Sequence, residues 1–141
     1  MILISCFACQ ENKKENIFDA NATTESKTPE TVKICFLSTG SEIQRGNKIL
    51  QDSTILNLEI KGNKVTGNYQ WLPAGKDSRK GTLKATTKEN VISGTYTFNQ
   101  EGTQETQPIL IQLKENAATI ITNKNLQGEM TLKVEKITCS S

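Results

Sequence analysis

The sequence predicts an all-β domain of about eight antiparallel strands in a meander, closed into a small barrel or folded as a sandwich. Three observations carry this. From residue 31 onward apolar residues recur with a period of two, the mark of half-buried strands. No segment sustains a helical period. The alternating segments are short and separated by turn-forming residues such as Gly62-Asn63.

Taken in order, Val32, Ile34 and Phe36 share one face of a first strand. Leu56, Leu58 and Ile60 share a face of the second, opposite Asn57 and Glu59. Val65, Gly67, Tyr69 and Trp71 define the third, and Gly81, Leu83 and Ala85 the fourth. Ile92, Gly94, Tyr96 and Phe98 define the fifth, and Ile109, Ile111 and Leu113 the sixth. Ala118 and Ile120 give a short seventh, and Met130, Leu132 and Val134 the eighth. Ile137 and Cys139 fall out of phase with that last strand, which predicts a bulge near Glu135-Lys136.

Two hairpins have a testable register. A turn at Gly62-Asn63 pairs Ile60 with Val65, Leu58 with Gly67 and Leu56 with Tyr69, so inward residues meet inward residues. A turn at Lys88-Glu89 pairs Ala85 with Ile92, Leu83 with Gly94 and Gly81 with Tyr96, again inward on inward. The stretches Val65–Trp71 and Ile92–Phe98 repeat one pattern: aliphatic, hydroxyl, Gly, any residue, Tyr, any residue, aromatic. An aromatic ligand platform is one reading of the repeat. The reading we favour is interior filling, with Gly easing strand coiling beside the large rings.

The N-terminal residues 1–9, MILISCFAC, are apolar and carry no charge. A secretory signal has a basic start, an apolar stretch of about 7–15 residues and a small residue before the cleavage point. The apolar stretch is here and the basic start is not. Leu3-Ile4-Ser5-Cys6 has the form of a bacterial lipobox, with an aliphatic residue three places before the cysteine and a small one just before it. Cys6 is therefore the expected lipidation site. Cys9 is the alternative, favoured only by the polar tether that starts directly after it. So few residues precede Cys6 that the true start is expected upstream of Met1. Residues 10–30 set Lys13, Lys14 and Lys27 against Glu11, Glu15, Asp19, Glu25 and Glu30, with little apolar content. Such a segment cannot bury enough surface to offset its ordering entropy, so a flexible tether is expected before the 31–141 domain.

Cys35 and Cys139 sit in the first and last predicted strands. Those strands are neighbours in a closed barrel, so the two cysteines can form a disulfide in an oxidising envelope compartment. The alternative is two buried free thiols. The export signal favours the bridge.

The chain is 35% hydrophobic, 23% charged and +2 overall, a balance that gives no sign of a nucleic-acid partner. It has no histidine, which removes Ser-His-Asp and Cys-His catalysis and every His-ligated zinc site. No run of about 18 apolar residues marks a membrane-spanning helix. After the tether only Asp52 and Asp77 remain as aspartates, too few for a calcium cage, and two cysteines without histidine make a poor metal site. We expect no enzyme, no metal and no cofactor. Lys76, Arg79 and Lys80 concentrate charge after Pro73 and Gly75, making a candidate contact loop for a phosphate or acidic glycan beside the reading as a solvated turn. Gly75-Lys76 is no P-loop, because Asp77 stands where Ser or Thr is required and no helix follows. The polar run from Glu101-Gly102 to Gln107 is expected to be a long hairpin loop and a second contact surface.

Lys33-Ile34-Cys35-Phe36, Leu58–Gly67, Lys76-Asp77 with Gly81-Thr82-Leu83, and Tyr96-Thr97-Phe98 through Glu101-Gly102 resemble a family of small β-rich lipoproteins of Bacteroidetes bacteria. The resemblance covers about Val32 to Thr122. It implies an acylated domain anchored in the cell envelope, an outer-membrane lipoprotein facing the periplasm or the cell surface. The charged stretch Glu11–Glu15 would then be a surface-routing signal. The expected function is a non-catalytic binding or structural role, with the membrane engaged through the N-terminal lipid. Two rivals stand beside it: a lipocalin- or calycin-like barrel carrying a small apolar ligand, and a surface protein-binding or inhibitor module acting through residues 73–81 or 99–108.

Overall fold

In a computed structural model the chain is described for residues 28–140, and these form a closed antiparallel barrel. Cys6 and Cys9, with the rest of residues 1–27, lie outside the described residues. The elements are β1 (Thr31–Thr39), β2 (Ile43–Arg45), β3 (Lys48–Leu50), β4 (Ser53–Lys61), β5 (Lys64–Leu72), β6 (Arg79–Lys88), β7 (Val91–Gln100), β8 (Thr103–Leu113), β9 (Ala117–Thr122) and β10 (Met130–Ile137). The barrel order is β1-β10-β9-β8-β7-β6-β5-β4, a meander in which every strand pairs with its chain neighbour and β1 also closes onto β10. β2 and β3 form a separate hairpin in the long connection between β1 and β4. That hairpin is a departure from the eight expected strands. Gly46-Asn47 turns it, with Gly46 at φ 59°, and each of its strands is too short to show a period.

The alternation read from the sequence is what fills the barrel. Phe36, Leu56, Leu58, Val65, Tyr69, Leu83, Ile92, Tyr96, Phe98, Ile109, Ile111, Ala118, Ile120 and Val134 are all buried and pack as one cluster. Inward residues meet across the ladders in layers. One runs Ile34, Leu58, Gly67, Leu83, Tyr96, Gln107, and the next runs Phe36, Leu56, Tyr69, Gly81, Phe98, Glu105. Each layer sets a glycine between two large side chains, so the bulk of the neighbours fills the space a Cβ would take. Gly81 shows how tight this is: an added Cβ would collide with the Thr97 carbonyl oxygen and stand 2.6 Å from Phe98 Cα. The rings of Tyr69 and Tyr96 lie 4.7 Å apart, and those of Tyr96 and Phe98 4.9 Å apart. Tyr69, Tyr96 and Phe98 of the repeated pattern thus fill the core, while Trp71, its fourth aromatic, is only partly buried against it. Outward positions of β4, β5 and β6 include the polar Asn57, Glu59, Asn68, Lys80, Thr82 and Lys84, while Leu37, Ile55, Leu110 and Ile121 also face out.

Registers agree with the sequence at one hairpin and differ at the other. β4 and β5 pair Ile60 with Val65, Leu58 with Gly67 and Leu56 with Tyr69, as expected. β6 and β7 pair Ala85 with Gly94, Leu83 with Tyr96 and Gly81 with Phe98, a slip of two residues from the expected pairing. The turn is Glu89-Asn90, closed by Lys88 opposite Val91, with Glu89 at φ 57°. A slip of two keeps every side chain on its face, so alternation alone could not detect it. Val32 is half exposed, not inward-packed: β10 begins its pairing with β1 only at Cys35, leaving Val32 covered by Ile60 alone. The bulge expected near Glu135-Lys136 is absent, and β10 keeps one register with β9 and one with β1. Ile137 and Cys139 simply point outward, in phase with Cys35. Thr103–Gln107 is likewise strand, not loop, because Glu101 (φ 50°) and Gly102 (φ 75°) make a two-residue turn that pairs Gln100 with Thr103.

The barrel closes through little backbone. β1 and β10 pair only at Cys35–Ile137, Phe36–Lys136 and Leu37–Glu135. Across this seam Cys35 and Cys139 form a disulfide on the outer face, with Cα atoms 5.2 Å apart and a sequence separation of 104. Nearly the whole domain lies between the two half-cystines. Replacing Cys35 or Cys139 with Ser is expected to lower unfolding stability by about 2–5 kcal/mol in urea titration; an unchanged midpoint would mean that the seam holds without the bond. Gly81→Ala is expected to cost about 1–3 kcal/mol, since the added methyl must push β7 away. A variant as stable as the parent would refute the tight packing at β6–β7.

Candidate functional site

The chain enters the barrel at the end formed by the Gly62-Asn63 and Glu89-Asn90 turns; Pro29 lies against Gly62. The opposite end collects the β1–β4 connection with its β2–β3 hairpin, the 73–78 loop, the Glu101-Gly102 turn and the 123–129 loop. Both segments singled out in the sequence as contact surfaces thus meet at one end of the molecule.

Asp52 ties this end together. Asp52 accepts a hydrogen bond from the Ala74 backbone N–H through Oδ1 and, through its carbonyl, one from Gly40 N–H at 2.9 Å. Gln51 adds a bond from Nε2 to the Gly40 carbonyl at 2.9 Å. The 40–52 connection is thereby clamped to the 73–78 loop. Asp77 faces Glu101 across the next gap, and a hydrogen bond to Asp77, together with its charge, holds the Glu101 carboxyl above the usual carboxylate range. Asp52 therefore serves loop geometry. Among the described residues no cluster of three or more metal-ligating side chains is present.

Lys76, Arg79 and Lys80 do not converge. Lys76 is exposed in the loop, and Lys80 points outward from β6, opposite Gln70 and Asn99. Arg79 has the same phase as Gly81, Leu83 and Ala85 and turns into the mouth of the barrel. Its guanidinium carbon stands 5.2 Å from the Trp71 ring centroid and 5.0 Å from that of Phe98. Its Nε–H donates to Gln100 Oε1 at 2.8 Å. No carboxylate pairs with it: the one ion pair among the described residues is Lys33–Glu59, at 3.5 Å and well exposed at the other end. Trp71 and Phe98 come from the strands on either side of β6, and Gly81, one inward position below Arg79, leaves room for both rings. Trp71, Phe98 and Gln100 were missed as partners of this arginine. The available signal was phase, since Arg79 continues the inward series of β6.

Below this cap the interior is packed mainly with large apolar and aromatic side chains. The Tyr96 hydroxyl donates to the Tyr69 backbone carbonyl at 2.9 Å, while the Tyr69 hydroxyl, Gln107 Oε1 and Thr122 Oγ1 are buried without a protein partner. The grooves around Cys35 and Cys139 are open features of the outer face along the β1–β10 seam, lined by residues such as Lys33, Asn57, Lys136 and Ile137. The groups at the loop end are a cation, two ring faces and an amide, a set suited to recognition through stacking and charge-assisted hydrogen bonds. No known family, curated protein or solved structure matches the chain.

The two phenols report on the same region. Burial pushes Tyr69 up to about 12, with the Arg79 charge opposing it. Burial also raises Tyr96, with the neighbouring Tyr69 adding to the shift and Arg79 again opposing it. Folded-state values above the unfolded value of about 10 mean that the native state keeps protons the unfolded chain has lost, so stability is full below pH ~10 and falls as pH rises. Absorbance near 295 nm is therefore expected to show both tyrosines, the only two in the chain, ionising together with alkaline unfolding. Reversible ionisation near pH 10 in the folded protein would contradict their burial.

Proposed function

We propose that this chain is a lipid-anchored domain of the bacterial cell envelope, held through Cys6 or alternatively Cys9, and that it works as a non-catalytic recognition component. The observation that carries the reading is the opposition of the two ends: the chain enters at the Gly62-Asn63 end, and the clamped loops with Arg79 stand at the other. An acylated N-terminus on a tether would leave the loop end pointing away from the membrane, toward the periplasm or the cell surface. Acyl chains contribute about 0.8 kcal/mol per buried CH₂, so a multiply acylated cysteine would anchor the domain stably. The Cys35–Cys139 disulfide supports an oxidising compartment. A lipocalin-like carrier would need an apolar cavity of about 300 Å³ or more, and an interior occupied by Phe36, Tyr69, Tyr96 and Phe98 weighs against it.

The test is the intact mass of the protein isolated from envelope fractions of its own host, before and after reduction. The expected mass is a chain cut before Cys6 or Cys9 plus acyl groups, with two further thiols that label only after reduction. A soluble chain with an unmodified N-terminus and freely labelled Cys35 and Cys139 would overturn the reading.

A further inference from the structure

Arg79 is the feature that neither the fold nor the clamps of the loop end absorb. Its guanidinium lies between the Trp71 and Phe98 rings, and Gln100 Oε1 takes its Nε–H. These contacts fix the plane of the group. Among the described residues no acceptor meets its terminal nitrogens, and no carboxylate lies within ion-pair distance. The side chain is only half buried, so the end-on pair of terminal N–H groups remains open to the mouth of the barrel.

We propose that Arg79 is the anchor of a binding site for a carboxylate carried on a planar or apolar body, with the Trp71 ring as the surface on which that body rests. A guanidinium held in one plane presents two parallel N–H donors that match the two oxygens of a carboxylate. Aromatic walls lower the local polarity and strengthen that pair relative to water. A single cation suits a singly charged group. Lys80 points outward from β6, away from the inward phase of Arg79, and no second cation is shown beside the guanidinium among the described residues. An acidic sugar and a peptide chain end both present this carboxylate. The proposal gives the loop end a ligand class and rests on the recognition reading above. The anchor is tested by mass and the ligand by a separate signal, so either can fail alone.

Trp71 is the only tryptophan in the chain, which makes its fluorescence a direct reporter of the site. The full-length protein would be titrated at constant ionic strength with glucuronate and with N-acetylphenylalanine, each beside its uncharged counterpart, glucose and N-acetylphenylalanine amide. The expected result is a saturable change with at least one carboxylate and none with its neutral counterpart. Which acid saturates distinguishes a sugar from a chain end. Arg79→Lys should weaken binding at least tenfold, because an ammonium cannot form the paired contact, and Arg79→Met should abolish it. Linear changes shared by acid and neutral probes, or saturable binding retained in Arg79→Met, would overturn the proposal. Should Arg79→Met fail to fold, the Nε–Hε resonance of Arg79 in the unmodified protein decides instead: it must shift on adding the carboxylate, and a resonance that does not move counts against the site.

Discussion

A meander of eight strands becomes a barrel only if its first and last strands meet, and here they share three ladder positions between Cys35 and Leu37 on one side and Glu135 and Ile137 on the other. Every other neighbouring pair of barrel strands has a longer ladder, up to ten positions between β7 and β8. The interior depends on this short seam. Phe36, whose ring is fully buried, sits at its middle position, and Leu56, Tyr69 and Val134 lose cover if β1 peels away. The disulfide stands on the outer face of this weakest pairing, where it adds a link without competing for core volume. It also ties Cys139, two residues past β10, to β1.

Inside the closed sheet the limiting resource is width. An eight-stranded barrel is just wide enough for its own side chains, and two tyrosines with two phenylalanines would overfill it if every inward position carried bulk. Gly67 between Leu58 and Leu83, and Gly81 between Tyr69 and Phe98, relieve this by letting adjacent backbones coil closely. The same glycines set the aromatic stack from Tyr69 through Tyr96 to Phe98, and the last ring of that stack is one wall of the Arg79 seat. Core packing and the geometry of the loop end are therefore one arrangement. A change at Gly81 would reach Arg79 through Phe98.

Much of this was legible in residue order, and the exceptions have physical causes. Alternation identified all eight barrel strands and their inward faces because one face is buried and the other wet. Gly62-Asn63 gave the β4–β5 register because glycine takes the positive φ a tight turn asks for, and Gly62 stands at φ 63°. The β6–β7 register was not legible: Lys88-Glu89 and Glu89-Asn90 are both glycine-free, and they differ by a slip that leaves the faces unchanged. The β2–β3 hairpin was hidden because strands of three residues carry no period. Arg79 was read as one of three loop cations because charge suggests solvent, although its phase pointed inward. What seats it are ring faces from two flanking strands, a relation visible only once β5, β6 and β7 lie side by side.

The seat of Arg79 also bears on what the fold itself needs. Closing the mouth over Tyr69 and Phe98 requires a long, mostly apolar side chain lying between two rings, and a methionine would satisfy that with no charge to desolvate. A half-buried guanidinium without a carboxylate is the costlier choice, because burial weakens its hydration and no carboxylate among the described residues offsets that. Gln100 reduces that cost at Nε and in doing so fixes the orientation of the group, leaving the terminal nitrogens as the uncompensated part. A hydrogen bond that orients a cation while its terminal donor pair stays open, at the end farthest from where the chain enters, is the physical ground on which a ligand arriving from outside is proposed.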